Sequence, residues 1–341
     1  MVDYYTIPNT SLVSFDDVLL TPQFSEIVSR SDVNTSSRLK KVPGFHIPII
    51  SAPMDTVTES DMAQAMNCAG GLGIIHRYNT ISEQVKLVEN SQCVVGAAIG
   101  TTGDFVDRAR ALFDVGVNVL CIDIAHGHHV LMRHALAVLR KTFGYKIHIM
   151  AGNVATRQAF DDLSDWGADS IKVGIGGGSI CSTRIQTGHG MPTLASVIEC
   201  SKSDRESALI ADGGIKNPGD IVKALAAGAD FVMLGSMLAG TEESPGNVIK
   251  GSDGESYKSY RGMASKEAQY DWRGHTASLE GVSSRVPYKG SVSNILSEVM
   301  VNVRSGMSYS GASNIPELQR KASFTRQSSS GFRESKPHIL F

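Results

Sequence analysis

The chain has 341 residues, 42% of them hydrophobic, and a formal charge of −2. That suits one large domain or two small ones, and a balanced charge with no long Lys/Arg run argues against nucleic acid as a partner. No apolar run approaches membrane-spanning length, and Met1 to Leu12 carries no basic-then-apolar signal, so no membrane partner is expected.

Short β-branched or apolar runs begin at residue 47. They are Ile47–Ala52, Leu72–Ile75, Val94–Ile99, Val119–Ile124, Ile147–Ala151, Ser170–Val173, Ala208–Ala211 and Phe231–Leu234. Amphipathic stretches such as Glu59–Cys68, Phe105–Val115, His128–Phe143, Arg157–Trp166 and Pro218–Ala227 separate them. Apolar strands alternating with helices predict a parallel sheet buried on both faces. Eight such units within about 200 residues predict a closed (β/α)8 TIM barrel, in one catalytic domain covering the chain. Five cysteines (68, 93, 121, 181, 200) form no C-x-x-C pair. Four of them, all but Cys181, are expected as small core residues in a reducing, cytoplasmic location.

After the eighth run, residues 241–290 are rich in Gly, Ser and charge and too long for an ordinary connection, which predicts a flap. Asn294–Arg304 reads as the closing helix. The tail, Ser328–Phe341, is expected to be mobile or to dock on a neighbouring subunit.

Almost every predicted strand ends in polar residues, and barrels of this kind build their sites from strand-end loops. The loop Gly174-Ile-Gly-Gly-Gly-Ser-Ile-Cys181-Ser-Thr-Arg184 combines turn-permitting glycines with a lone cysteine, two hydroxyls and a cation. That set makes Cys181 a candidate nucleophile whose neighbouring carbonyls can bind a monovalent cation; the blander reading is a flexible turn. Asp212-Gly213-Gly214 and Gly235-Ser236 end the seventh and eighth strands, where backbone N–H groups commonly hold phosphate, with Ser179 able to join. Asp212 would repel a phosphate and better suits a ribose hydroxyl pair. His126-Gly-His128-His129 admits a metal site, though a helix start is the plainer account. Glu280 in the flap is either a solvated carboxylate or an acid–base group that descends on the site.

Taken together, Ser14-Phe-Asp-Asp-Val-Leu-Leu20, Met54-Asp-Thr-Val57, Gly152-Asn-Val154, the cysteine loop, Asp212-Gly-Gly, Gly235-Ser-Met-Leu-Ala-Gly240, Tyr260-Arg-Gly-Met263 and Arg285-Val-Pro-Tyr-Lys-Gly290 resemble the IMP dehydrogenase/GMP reductase family over nearly the whole chain. The resemblance implies a barrel enzyme, usually a homotetramer, acting at C2 of GMP or IMP with a nicotinamide cofactor and a potassium ion. It implies Cys181 as nucleophile, Thr183 and Glu280 as proton relay, and the carbonyls of Gly176, Gly178 and Cys181 as potassium ligands. Ser179, Gly213, Gly214, Gly235, Ser236, Tyr260, Gly262, Met263 and Gly281, with Asp212, would bind the purine nucleotide. Arg77, Asp123, Ile124, Ala125 and Asn153 would face the cofactor.

His76 to Cys93 leaves no room for the regulatory module that dehydrogenases of the family commonly insert, and the flap has no Arg-Tyr pair for hydrolysis. The expected reaction is therefore NADPH-dependent reductive deamination of GMP to IMP. NAD-dependent oxidation of IMP is the alternative, and a non-catalytic purine-nucleotide binder is a third reading. Gly177 and Ser182 depart from the residues usual in the family, proline and threonine.

Overall fold

The computed structural model describes residues 12–277 and 279–337. A first strand, β1 (Val18–Leu20), precedes β2 (Ile49–Ser51), and from there strands and helices alternate. The series runs α1 (Ser60–Cys68), β3 (Leu72–Ile75), α2 (Ile81–Ser91), β4 (Val95–Ile99), α3 (Phe105–Asp114), β5 (Val119–Asp123), α4 (Val130–Phe143), β6 (His148–Val154) and α5 (Arg157–Asp165). It continues through β7 (Ser170–Val173), α6 (Thr183–Thr187), α7 (Thr193–Cys200), β8 (Ala208–Asp212), α8 (Pro218–Ala226) and β9 (Phe231–Leu234). Strands β2 to β9 pair in sequence, all parallel, and β9 closes on β2 to complete an eight-stranded (β/α)8 barrel.

The local sequence explains these elements. The strands are buried along both faces, so they carry near-continuous apolar runs instead of alternation, with Ser170 and Lys172 of β7 as buried exceptions. Helix starts are marked by side-chain caps: Thr80 with Glu83 for α2, Thr156 for α5, and Asn217 ahead of Pro218 for α8. Helix α7 has no amphipathic signature because Thr193 to Val197 are all buried. Inside the barrel Ile50, Ile74, Met150, Ile210 and Met233 pack together, and Phe45 plugs the lower mouth edge-on to Phe231. A larger apolar layer lies between strands and helices.

Beyond β9 come β10 (Ile249–Lys250), β11 (Ser256–Arg261), α9 (Lys266–Arg273) and β12 (Ser283–Pro287). The three strands form an antiparallel sheet, ordered β10-β11-β12, and with α9 they make the flap. Arg261 ties it to the barrel, donating to Asp55 Oδ2 at 2.7 and 3.0 Å, and the ammonium of Lys258 donates to the carbonyls of Glu242 and Ser244. The final elements are α10 (Val292–Tyr309), α11 (Ile315–Lys321), β13 (Phe324–Arg326) and α12 (Ser329–Glu334).

Some expectations need correction. Cys68 is exposed on the outer side of α1, whereas Cys121 and Cys200 are buried. The closing helix is longer than Asn294–Arg304, because Ser291 caps it earlier and its apolar stripe runs on to Met307. Just before the expected tail β13 pairs with β1, and within it α12 packs on the turn at Phe15–Asp17, while docking on a neighbouring subunit stays an expectation. Residues 338–341 of the expected tail lie outside the described residues. Among the described residues, no helix is long and apolar enough to cross a membrane.

Candidate active site

The C-terminal ends of the barrel strands and the inner side of the flap enclose a cavity of about 480 Å³. Every residue expected at the site from the sequence lines it, including the candidate nucleophile, the nucleotide-binding and cofactor-side residues and the loop carbonyls. The parallel barrel explains why: side chains scattered over 200 residues end on one rim.

The loop after β7 carries Cys181. Its thiol donates to Thr183 Oγ1 at 3.1 Å, Thr183 being the first residue of α6 and buried. The flap clamps this segment from above. Ser182 N–H donates to the Glu280 carbonyl at 2.9 Å and Val282 N–H to the Ile180 carbonyl at 3.0 Å, which sets Cys181 opposite Gly281. Glu280 therefore reaches the cavity through strand-like pairing, fixed to the same backbone as Cys181. Gly177, the departure from the family pattern, has a packing reason: a Cβ there would lie 2.3 Å from Thr193 Oγ1. The carbonyls of Gly176 and Cys181 accept no hydrogen bond among the described residues, while that of Gly178 accepts from Cys181 N–H.

Beside the cysteine loop, at the end of the neighbouring strand β8, Gly213 and Gly214 take successive positive φ values of 91° and 79°, which turns their backbone in a way that other L-residues resist. Tyr260 is 5% exposed and its hydroxyl lies 3.5 Å from Ser179 Oγ. Burial raises the pKa of this phenol, so it stays a neutral donor. Ser236 and Gly235 line the same corner.

The same cavity holds a charge cluster. Lys172, 2% exposed on β7, bonds Asp123 and sits 3.7 Å from Asp212 Oδ2. Burial would lower its pKa, but the neighbouring Asp123 and Asp212 outweigh that and hold it above the ordinary lysine value. Asn153 donates to Asp212 Oδ2 at 2.8 Å and to the Gly174 carbonyl at 2.8 Å. One ammonium thus orients two carboxylates on neighbouring sides of the cavity. Arg77 borders the Asp123 side, where it donates to the Asp123 carbonyl at 3.4 Å.

A family profile described as "IMP dehydrogenase / GMP reductase domain" matches residues 12–338. The chain belongs to this family. It is 34% identical to the inosine-5′-monophosphate dehydrogenase of Nitrosopumilus maritimus, over 96% of the chain and 98% of the relative. It is 32% identical to the GMP reductase of Leishmania major, over 96% and 97%. The crystal structure of a GMP reductase variant from Trypanosoma brucei, in complex with guanosine 5′-monophosphate, superposes with a TM-score of 0.92 at 32% identity, covering 98% of each chain. Enzymes of the IMP dehydrogenase/GMP reductase family are oxidoreductases of purine metabolism that use nicotinamide nucleotides.

Within this family frame, several cavity residues escaped sequence reasoning. Lys172 was legible in principle, since a single lysine inside an apolar strand needs a buried partner. Met54, Tyr78, Gln269 and Arg273 also line the cavity. The last two come from the flap helix α9, and nothing in their local sequence aims them inward. The histidine cluster stays apart from this chemistry. His128 bonds Asp162 at 2.7 Å and stacks on Trp166, and His129 caps α4. Among the described residues, no three potential metal-binding side chains converge.

Proposed function

We propose that the chain is a GMP reductase, converting GMP to IMP and ammonia with NADPH. The observation that carries this reading is the Cys181–Thr183 pair at 3.1 Å beneath a flap that delivers Glu280 but has no Arg-Tyr pair. Likeness to a GMP-bound reductase over 98% of the chain supports it.

In this reading Cys181 Sγ, its proton passed to Thr183 and Glu280, attacks C2 of GMP. Thr183 and Glu280 then protonate the leaving amine, and the C2–N bond breaks to release ammonia. The product of these steps is a thioimidate on Cys181. NADPH supplies the hydride that C2 gains, after which the C2–S bond breaks and returns the thiolate. Asp212 binds the ribose, while Gly213, Gly262 and Gly281 offer backbone groups and Ser179, Gly214, Gly235, Ser236 and Tyr260 take the phosphate. Met263 borders the base. Asp123, Ile124, Ala125, Asn153 and Arg77 face the nicotinamide side.

The carbonyls of Gly176, Gly178 and Cys181 would hold a potassium ion, two of them accepting no hydrogen bond among the described residues, and such an ion would stiffen the cysteine loop. We expect a homotetramer, which light scattering measures directly.

IMP dehydrogenase is the second reading, favoured by the 34% identity to a dehydrogenase over 96% of the chain. Purified protein assayed with GMP plus NADPH, and with IMP plus NAD, separates the two at the nicotinamide absorbance. Oxidation of NADPH with GMP alone is expected; NADH formation from IMP would sink the reductase reading.

A further inference from the structure

The loop that carries Cys181 is pinned by hydrogen bonds at its two ends but not in its middle. Gly174 N–H donates to the Val154 carbonyl at 2.8 Å, the Gly174 carbonyl accepts from Asn153, and Cys181 N–H donates to the Gly178 carbonyl at 3.1 Å. Among the described residues, Gly176 and Gly177 make no hydrogen bond. Two such glycines form the most freely turning stretch a loop can have, whereas proline, the residue usual at 177 in the family, would fix its own φ. Whatever holds this stretch must therefore come from packing.

The packing is specific. Gly176 lies against the stem of Arg184, where a Cβ would be 2.6 Å from Cγ. Gly177 lies between Thr193, the first residue of α7, and the backbone of Gly213. A Cβ at Gly177 would be 2.3 Å from Thr193 Oγ1 and 3.6 Å from the Gly213 carbonyl. The same hydroxyl would stand 3.4 Å from a Cβ at Gly174 and 3.6 Å from one at Gly214. One side chain thus meets the base and the middle of the cysteine loop and the turn after β8. Thr193 is 4% exposed, and its Oγ1 has no hydrogen-bond partner among the described residues. A buried hydroxyl left unpaired costs stability, a cost that alanine at 193 would avoid.

We propose that Thr193 is a positioning residue for Cys181. Its side chain wedges Gly177 against the Gly213 backbone and fixes the cysteine loop from outside, as the ring of a proline would from within. The wedge also joins the loop to the Gly213–Gly214 turn. The backbone proposed to hold the purine nucleotide and the sulfur proposed to attack it then move as one unit. The proposal rests on the reading of Cys181 as nucleophile given above.

Removing the wedge and then refilling its place tests this. Peptide-resolved mass spectrometry gives the rate at which iodoacetamide alkylates Cys181, a measurement that needs no turnover. Steady-state kinetics with GMP and NADPH are read beside it. In Thr193→Ala the loop loses its stop, so alkylation is expected to rise and kcat to fall, each about tenfold, with KM for NADPH unchanged. Thr193→Ser, which keeps the oxygen, should restore both. Gly177→Ala should match Thr193→Ala, because its methyl collides with the hydroxyl. In Gly177→Ala/Thr193→Ala that methyl fills the space the hydroxyl left, and both readouts should return to within about threefold of the wild type. Effects that simply multiply in the double variant would overturn the proposal. So would a Thr193→Ala protein with unaltered alkylation and kcat, even if its urea midpoint fell, since Thr193 would then be merely structural. If Gly177→Ala does not fold, Thr193→Ala and Thr193→Ser decide alone. Failure of the functional reading looks different: the wild type turns over neither purine nucleotide, while the alkylation pattern persists.

Discussion

In the proposed reaction Cys181, Thr183 and Lys172 would take three different parts. Cys181 would be the nucleophile, so Cys181→Ala should leave less than about a thousandth of the turnover and no nucleotide adduct in the intact mass, with GMP still bound. Thr183→Ala removes a proton relay but not the nucleophile, and a loss of about 10²–10⁴ in kcat is expected. If steady-state kinetics showed equal losses in the two variants, their roles could not be separated in this way. Lys172→Met has a different signature. It removes the ammonium between Asp123 and Asp212, leaving two part-buried carboxylates near one another, and the expected cost is about 3 kcal/mol in urea unfolding. The cysteine loop was legible because packing alone does not call for a lone cysteine beside two hydroxyls and a cation. The role of Lys172 was not, since strand pattern marks it as buried but says nothing of which strands stand beside it.

Among the elements, β6 and β7 carry the second polar cluster, at the lower mouth of the barrel. His148, at the start of β6, contacts the Lys40 carbonyl at 2.8 Å and Ser170 Oγ at 2.7 Å. Burial, the largest influence, lowers its pKa from the ordinary 6.5 to about 4. The unfolded chain therefore takes up a proton first as pH falls. The stability that the neutral, buried His148 contributes is complete above pH 6.5 and is lost progressively towards pH 4, about 3 kcal/mol in all. In urea titrations the gap between the wild type and His148→Gln should narrow over that interval, and a gap independent of pH would refute the assignment. The barrel strands were legible to within a few residues because each is a mostly apolar run. Helix α7 was not, being buried nearly all round, and neither was the inward aim of α9, which depends on the Tyr78–Trp272 stack formed across 194 positions of sequence.

For the whole molecule, the open question was the tail, which composition alone presented as a polar, Ser-rich end. Composition could not reveal that β13 would pair with β1, because that pairing joins residues at opposite ends of the chain. In the fold, Leu20 lies opposite Phe324, Gln327 N–H donates to the Asp17 carbonyl at 3.0 Å, and the Gln327 side chain donates to the Asp16 carbonyl at 2.8 Å. Beneath them Phe15 and Val18 are 4% and 2% exposed. Asp16 also bridges Lys216 at 2.7 Å, in the loop that leads from β8 into α8. The two ends thus form a clasp under the strand β8 that carries Asp212. Deleting residues 324–341 removes the strand partner and uncovers part of this apolar patch, so a loss of about 2–4 kcal/mol is expected in urea unfolding at pH 7. Because the clasp is intramolecular, the loss should not depend on protein concentration. A tail that acted instead by docking on a neighbouring subunit would give the opposite pattern: a truncated chain with altered mass in light scattering and a stability that falls on dilution.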